Sequence, residues 1–267
     1  KVLYIKAGPE IAVATTKAYS CQLMMLSIIA AYMGIKHKII DEDIFKEYKR
    51  LPEHIETILK DTSDTENIAK MIKDHKDIFY LGRKIDYSLC MEASLKLKEI
   101  SYIHSEAYQA GELKHGTISL VDDGTPVISI ITDKDIKDKT ISNVQEVKAR
   151  GAKCIIISND EITGYDYLIQ VPKMSDFFQP LVFHLGAHLV KTLIQNSESV
   201  CISQPSSPAY FIAAIKALPS IRILVLSFSS PNTTGPPPLP LTSITAKPPG
   251  PGFGSALPSV HNIFINI

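Results

Sequence analysis

The sequence predicts an α/β fold in which a mostly parallel sheet is covered by helices on both faces. Short apolar runs with the length and residue types of buried strands lie at 78–82, 126–132, 154–158 and 167–171. Segments of helical length separate or follow them, at 65–75, 86–99, 135–150 and 177–194. Strands that alternate with helices in this way pair in parallel, because each crossover helix returns the chain to the same end of the sheet.

The first 60 residues predict further helices around a short strand. Residues 1–5 predict a buried strand, and 15–33 predict a helix that is apolar on nearly every face and therefore belongs to a core. The amphipathic stretch 41–60 contains Pro52, which predicts two helices with a break between them. The chain opens on Lys1, without an initiator methionine or a signal peptide, so we expect it to start within a longer protein.

The charge balance argues against two classes of partner. Lys plus Arg and Asp plus Glu number 28 each, so the chain lacks the basic field that nucleic acids and membrane surfaces attract. The longest apolar run, from Leu23 to Met33, is also too short to span a bilayer. Four widely separated cysteines form no metal-binding motif, which predicts buried reduced thiols in a cytoplasmic protein and no metal site. The balanced charge is still compatible with a small anionic substrate, which needs only a few local donors.

The composition changes abruptly near Asn196. No Asp or Glu follows Glu198, and twelve of the 17 prolines lie beyond residue 200. Such a stretch cannot sustain helices or central strands, which predicts that 196–267 is disordered. Two origins fit this tail: a Pro-rich functional linker, or a coding region that has shifted its reading frame.

The helix predicted at 86–99 carries three charged residues that share one face. Glu92, Lys96 and Glu99 are spaced by four and three residues. An acid, a base and an acid on one face are equally typical of a solvated surface ladder and of an acid–base site. Spacing alone leaves both interpretations open.

The stretch Tyr102 to Gly116 follows that helix and shows neither helical nor strand periodicity. It is rich in titratable side chains, as functional loops often are: His104, Glu106, Tyr108, Glu112, Lys114 and His115. With the loop after Gly82, it belongs beyond the carboxyl ends of the strands, where α/β folds bind ligands. A ketose–aldose isomerisation needs a base and a group that opens the sugar ring, and a carboxylate and a histidine suit these tasks. Taken alone, His115 is equally compatible with a structural loop histidine.

Two long motifs carry a resemblance to a known family. Residues 95–104 (LKLKEISYIH), followed by 106–108 (EAY) and 111–116 (GELKHG), closely resemble the signature of glutamine–fructose-6-phosphate aminotransferases (isomerizing). A second match lies at 7–19 (AGPEIAVATTKAY). The resemblance extends from residue 1 to about 193 and implies three-layer, flavodoxin-like SIS (sugar isomerase) subdomains.

The resemblance also implies roles for individual residues. Glu99 matches the family's base for isomerisation, Lys96 matches a lysine of the same active-site helix, and Glu92 a glutamate of that helix. His115 matches the histidine of sugar ring opening, which in the family reaches the site of the neighbouring subunit. Val13 and Thr15 match the loop that contacts the sugar, where the family commonly has serine at the position of Thr15.

By this resemblance the parent protein is a transferase that makes glucosamine 6-phosphate from fructose 6-phosphate and glutamine. It is a homodimer and needs no metal or organic cofactor. We expect 1–62 to be the rear of a first SIS subdomain, 63–195 a second subdomain and 196–267 an unrelated tail.

The family's glutaminase domain, phosphate loop and imine-forming lysine have no counterpart here. The sequence therefore predicts that this chain is inactive by itself. The alternatives are another SIS sugar-phosphate isomerase and a non-catalytic SIS sugar-phosphate-binding protein.

Overall fold

Five parallel strands form the central sheet in a computed structural model of the chain. The structure describes residues 2–5, 7, 15, 17–60, 63–183 and 263–264. In chain order the elements are β1 (Val2–Leu3), α1 (Lys17–Lys36), α2 (Ile44–Lys60), α3 (Ser63–Ile72), β2 (Asp77–Gly82), α4 (Ile85–Ser101), β3 (His104–Gln109), β4 (Pro126–Ile131), α5 (Lys137–Lys148), β5 (Lys153–Ser158), β6 (Tyr167–Gln170) and β7 (Ile263–Phe264). Two 3₁₀ turns, Leu113–His115 and Thr117–Leu120, lie between β3 and β4.

The strand order in the sheet is β3-β2-β4-β5-β6, and every neighbouring pair is parallel. Apart from this sheet, β1 and β7 form a two-residue antiparallel pair. The chain reverses its direction of progress across the sheet between β2 and β4, which is the point where flavodoxin-like folds open a crevice. The predicted α/β class with a parallel sheet is confirmed.

Residues along each central strand alternate between two separate cores. On one face Tyr80, Ile128 and Ile155 pack with α3 and α4, and the same cluster includes residues of α1 and α2. On the other face the side chains of Phe79 and Val127 pack with α5. Because successive strand residues point to opposite faces, the apolar runs predicted as strands supply both cores at once, which gives the three layers.

Gly82 allows α4 to begin immediately after β2. A Cβ at this position would lie 2.5 Å from the backbone carbon of Asp86 and 2.6 Å from its oxygen, in the first turn of the helix. Backbone atoms cannot yield as a flexible side chain can. The close approach of strand and helix therefore requires glycine here.

Two predicted features are wrong in detail. Within the stretch 41–60, the single helix α2 (Ile44–Lys60) continues through Pro52. Leu51 and Ile55 are fully buried on its inner side, and this tertiary packing offsets the lost hydrogen bond. Part of the stretch predicted to be irregular is a strand: His104–Gln109 pairs with β2 along its whole length.

Helix α1 is only partly enclosed by the described residues. Ala18 and Met24 are buried, whereas Leu26 and Met33 are exposed, so the predicted all-round burial is not seen. The segment Ala18–Lys36 is long and apolar enough to cross a membrane by length and composition, a test that core helices also pass. Cys21, Cys90 and Cys154 are free and buried, as predicted for reduced thiols; Cys201 lies outside the described residues.

Candidate active site

A buried lysine between two carboxylates is the central feature of α4. Lys96 is only 6% exposed, and its Nζ donates a hydrogen bond to Oε2 of Glu99 at 2.9 Å. The same Nζ lies 3.6 Å from Oε1 of Glu92. The three residues share one face of the helix, as their spacing predicts, but the burial of Lys96 is not that of a solvated surface ladder.

The electrostatics of this cluster follow from its burial. An ammonium group that is removed from water must be compensated, and here one carboxylate lies on each side of it, a turn before and a turn after along the helix. Side-chain exposure increases along the series, from 13% for Glu92 to 26% for Glu99. Glu99 is therefore the more accessible carboxylate for a substrate, and Lys96 occupies only one of its oxygens.

The start of α1 lies beside this cluster. Burial, and next the negative charge of Glu92, raise the pKa of the Tyr19 phenol. Thr15 is half-buried two residues before the helix. Val13 lies outside the described residues. Helix α1, whose start belongs to the 7–19 motif, therefore approaches α4 at Glu92, three residues before the 95–104 motif.

His115 and Glu99 lie at opposite ends of the sheet. Helix α4 runs antiparallel to the strands it connects, so Glu99 in its last turn lies near the amino ends of β2 and β3, where Asp77 pairs with His104. His115 follows the carboxyl end of β3 and is exposed. The expectation that the stretch Tyr102 to Gly116 lies beyond the carboxyl ends of the strands is therefore correct for His115 and wrong for His104, which begins β3. Six strand residues at about 3.3 Å each separate the two ends by roughly 20 Å.

The edge strand β3 carries a second group of polar side chains. His104 Nδ1 lies 2.7 Å from Oδ1 of Asp77, and its Nε2 lies 3.7 Å from Oε1 of Glu106. Tyr108 donates a hydrogen bond to the Glu106 carboxylate, which, together with burial, raises the pKa of the phenol. Alternation along the strand places His104, Glu106 and Tyr108 on one side of the sheet.

The crevice between β2 and β4 is filled by a carboxylate that sequence reasoning did not single out. Asp86, 1% exposed, accepts hydrogen bonds from the Thr132 backbone N–H at 3.0 Å and from the Thr132 hydroxyl at 2.7 Å. Burial raises the pKa of Asp86 to about 6, although these hydrogen bonds act in the opposite direction. An acidic residue four positions after the end of the buried strand was the available signal.

Comparison with known proteins places this arrangement in a family. The family model for the SIS domain matches residues 71–163. Glutamine–fructose-6-phosphate aminotransferases (isomerizing) from Clostridium acetobutylicum and Caldanaerobacter subterraneus subsp. tengcongensis are 41% and 46% identical to the chain, and each alignment covers 78% of it. The chain spans about a third of the length of these relatives, 36% in both cases.

A solved structure agrees with the sequence relatives. The C-terminal domain of glucosamine-fructose-6-phosphate aminotransferase from Francisella tularensis superimposes with a TM-score of 0.65 at 34% identity. The superposition covers 72% of this chain and 56% of that one.

The fold and the matched domain define the chain as a SIS-domain protein. More particularly, it belongs to the glutamine–fructose-6-phosphate aminotransferase family, and it corresponds to part of the C-terminal isomerase half.

Proposed function

We propose that this chain supplies the isomerase site of an enzyme that converts fructose 6-phosphate and glutamine to glucosamine 6-phosphate. The observation that carries the proposal is the burial of Lys96 between Glu92 and Glu99 on α4. A folded chain tolerates a buried ammonium group only with close partners, and such groups concentrate at functional sites.

Glu99 is the proposed base of the ketose–aldose step. The step requires that a proton leave C1 of the open-chain sugar and return to C2, and one carboxylate can serve both transfers in turn. The bond from Lys96 to Oε2 fixes the orientation of the carboxylate, and Oε1 is the oxygen we assign to the proton transfer. Lys96 also places positive charge beside the position where negative charge develops on the sugar oxygens.

The remaining sugar contacts are proposed for Glu92, Val13 and Thr15. The approach of α1 to Glu92 at Tyr19 supports this assignment, since Thr15 lies two residues before that helix. The Thr15 hydroxyl can donate to or accept from a sugar hydroxyl.

His115, proposed to open the sugar ring, acts in this scheme on the site of a second copy of the chain. The separation of roughly 20 Å between the two ends of the sheet supports this, because no sugar phosphate spans that distance within one chain. A homodimer in which each subunit lends His115 to its partner brings the two groups together.

An exposed apolar stripe on α4 supports the same dimer. Met91 and Leu95 lie on one side of the helix, next to the face of Glu92 and Glu99, and are 46% and 44% exposed. Tyr102 directly follows the helix and is 87% exposed. Exposed apolar side chains gathered beside a polar site are typical of a protein–protein contact.

Three further expectations stay proposals. The division into 1–62, 63–195 and 196–267 is tested by limited proteolysis, which should trim the chain near residue 195. A cytoplasmic location is supported by the free, buried cysteines of the described part. Another SIS isomerase, or a non-catalytic sugar-phosphate-binding protein, finds less support, since the relatives at 41% and 46% identity carry the aminotransferase name.

The direct test replaces the matching segment of the Clostridium acetobutylicum relative with residues 1–183 of this chain. The chimera should form glucosamine 6-phosphate, and Glu99→Gln should lower its kcat by about 10²–10⁴-fold, the usual range for a general base. The exposed Glu112→Gln variant is the control. If the chimera is active and Glu99→Gln leaves its kcat unchanged, Glu99 is not the base. The unmodified chain is assayed in parallel.

The shared site is tested by mixing two inactive chimeras, Glu99→Gln and His115→Ala. Random pairing makes half of the dimers mixed, and each mixed dimer holds one intact site, so about a quarter of the activity should return. No recovery after the subunits have been shown to exchange would place both residues in the same chain's site.

A further inference from the structure

The loop 110–116, which carries His115, is held to the rest of the domain at three points. The Ala110 N–H donates to the carbonyl of Gly82 at 2.9 Å, and the Leu113 side chain is buried in one of the two cores. The third point is Gly111. A Cβ at Gly111 would lie 2.8 Å from Nη2 and 3.4 Å from Cζ of Arg83, so the loop backbone rests directly on the guanidinium group.

The guanidinium group is also held by a hydrogen bond to α5. Nη2 of Arg83 donates to Oδ1 of Asn143 on α5 at 2.7 Å, and the Asn143 amide in turn donates to Glu146 at 3.3 Å. Nε of Arg83 is buried and makes no hydrogen bond within the part of the chain that the structure describes. A buried donor without a hydrogen-bond partner is costly, so the partly buried Arg83 side chain differs from a free surface arginine.

We propose that Arg83 is a positioning residue for His115, which it reaches through the loop backbone. Arg83 directly follows β2, and its planar group fills the space beneath Gly111 while α5 holds it by one hydrogen bond. This fixes where β3 ends and where the following 3₁₀ turn presents His115. The inference rests on the proposed role of His115 and deepens it.

The geometry explains why these positions need arginine and glycine. A flat guanidinium group stacks against a peptide and still offers a donor at its edge, which a lysine ammonium group cannot do. Gly111 is not among the glycines with a positive φ, so an alanine there adds only a methyl group against Arg83. Gly111→Ala therefore disturbs the same contact from the loop side while leaving the charge in place.

The test uses the full chain and needs no catalytic activity. Hydrogen exchange of the 110–116 amides and the His115 imidazole signal in ¹H–¹³C NMR spectra are compared among variants. Arg83→Met and Gly111→Ala should each speed loop exchange at least tenfold and shift the His115 signal. Arg83→Lys should give an intermediate result. Lys84→Met is the control, because Lys84 is the neighbouring cation and pairs with Asp133 at 3.1 Å.

Two outcomes decide the inference. If loop exchange and the His115 signal are unchanged in a folded Arg83→Met or Gly111→Ala variant, Arg83 does not position His115. If Arg83→Met fails to fold, Gly111→Ala alone decides in the same way. If Lys84→Met speeds loop exchange and shifts the His115 signal as much as Arg83→Met does, the effect is general destabilisation and the proposal is overturned. The proposed function is judged separately by the chimera activity, so either can fail alone.

Discussion

Removing the buried charge of Asp86 should make the protein more stable at neutral pH. Burial gives the Asp86 carboxyl a pKa of about 6 in the folded protein, against an ordinary aspartate pKa of 3.8. Its stabilising contribution is complete below the unfolded pKa and is lost as pH rises through the folded pKa. The difference of roughly two units corresponds to about 3 kcal/mol lost between pH 4 and pH 7.

Asp86→Asn keeps the hydrogen bonds and abolishes the titration. The amide oxygen can accept from the Thr132 N–H, and the amide nitrogen can donate to the Thr132 hydroxyl oxygen. We therefore expect the free energy of unfolding of the variant to be close to that of wild type at pH 4. At pH 7.5 it should exceed the wild-type value by up to about 3 kcal/mol.

The assay is urea unfolding of both proteins at several pH values between 4 and 8. Asp133→Asn is the control, because the stability contribution of Asp133 depends on pH in the opposite direction. Burial alone would raise the pKa of Asp133, but hydrogen bonds from Lys84 and from the backbone lower it overall, so its contribution is lost as pH falls. A difference between Asp86→Asn and wild type that stays constant with pH would refute the reasoning. It would mean that Thr132 and the amino end of α4 offset burial in full.

Two other variants test the helices. Lys96→Met should lower the free energy of unfolding by about 3–5 kcal/mol, because it leaves two neighbouring carboxylates without their shared cation. Thermal unfolding measures this loss. A loss below ~1 kcal/mol would contradict the buried ion cluster. Pro52→Ala should raise the melting temperature, because it restores the backbone donor inside α2 and removes a ring clash worth up to about 3 kcal/mol. A lower melting temperature would show that the proline fits the helix and restricts the unfolded chain.

The sequence was informative wherever local pattern and tertiary packing agree. The apolar runs of β2, β4 and β5 identify them as buried strands, and the spacing of Glu92, Lys96 and Glu99 places them on one helix face. In β3, which the sequence did not predict as a strand, the local pattern does not match the tertiary packing. Its inward positions include Ser105 and Ala107, which are small, so the strand carries no alternation of large apolar residues.

Two features of the site could not be obtained from pattern alone. The position of Glu99 follows from the direction of α4, which starts at the carboxyl end of β2 and returns over its length to the amino end. The buried state of Asp86 depends on Thr132, 46 residues further along the chain, and no local pattern records that contact.

The pair Ser94 and Ser105 explains how closely α4 approaches the edge strand. Each hydroxyl donates to the backbone carbonyl of the other residue at 2.9 Å, and both side chains are buried. Since each hydroxyl has one proton, the 3.0 Å separation of the two Oγ atoms is a contact rather than a third hydrogen bond. The close approach therefore depends on small side chains at both positions.

Substitutions at Ser105 separate this packing from strand propensity. Ser105→Ala removes one hydrogen bond and should cost about 1 kcal/mol in urea unfolding. Ser105→Val introduces a residue that favours strands, yet it should cost more, about 1–3 kcal/mol beyond alanine, because it forces α4 away from β3. Equal or greater stability of the valine variant would show that the helix can move. In that case the position of Glu99 on α4 would not be fixed by this contact.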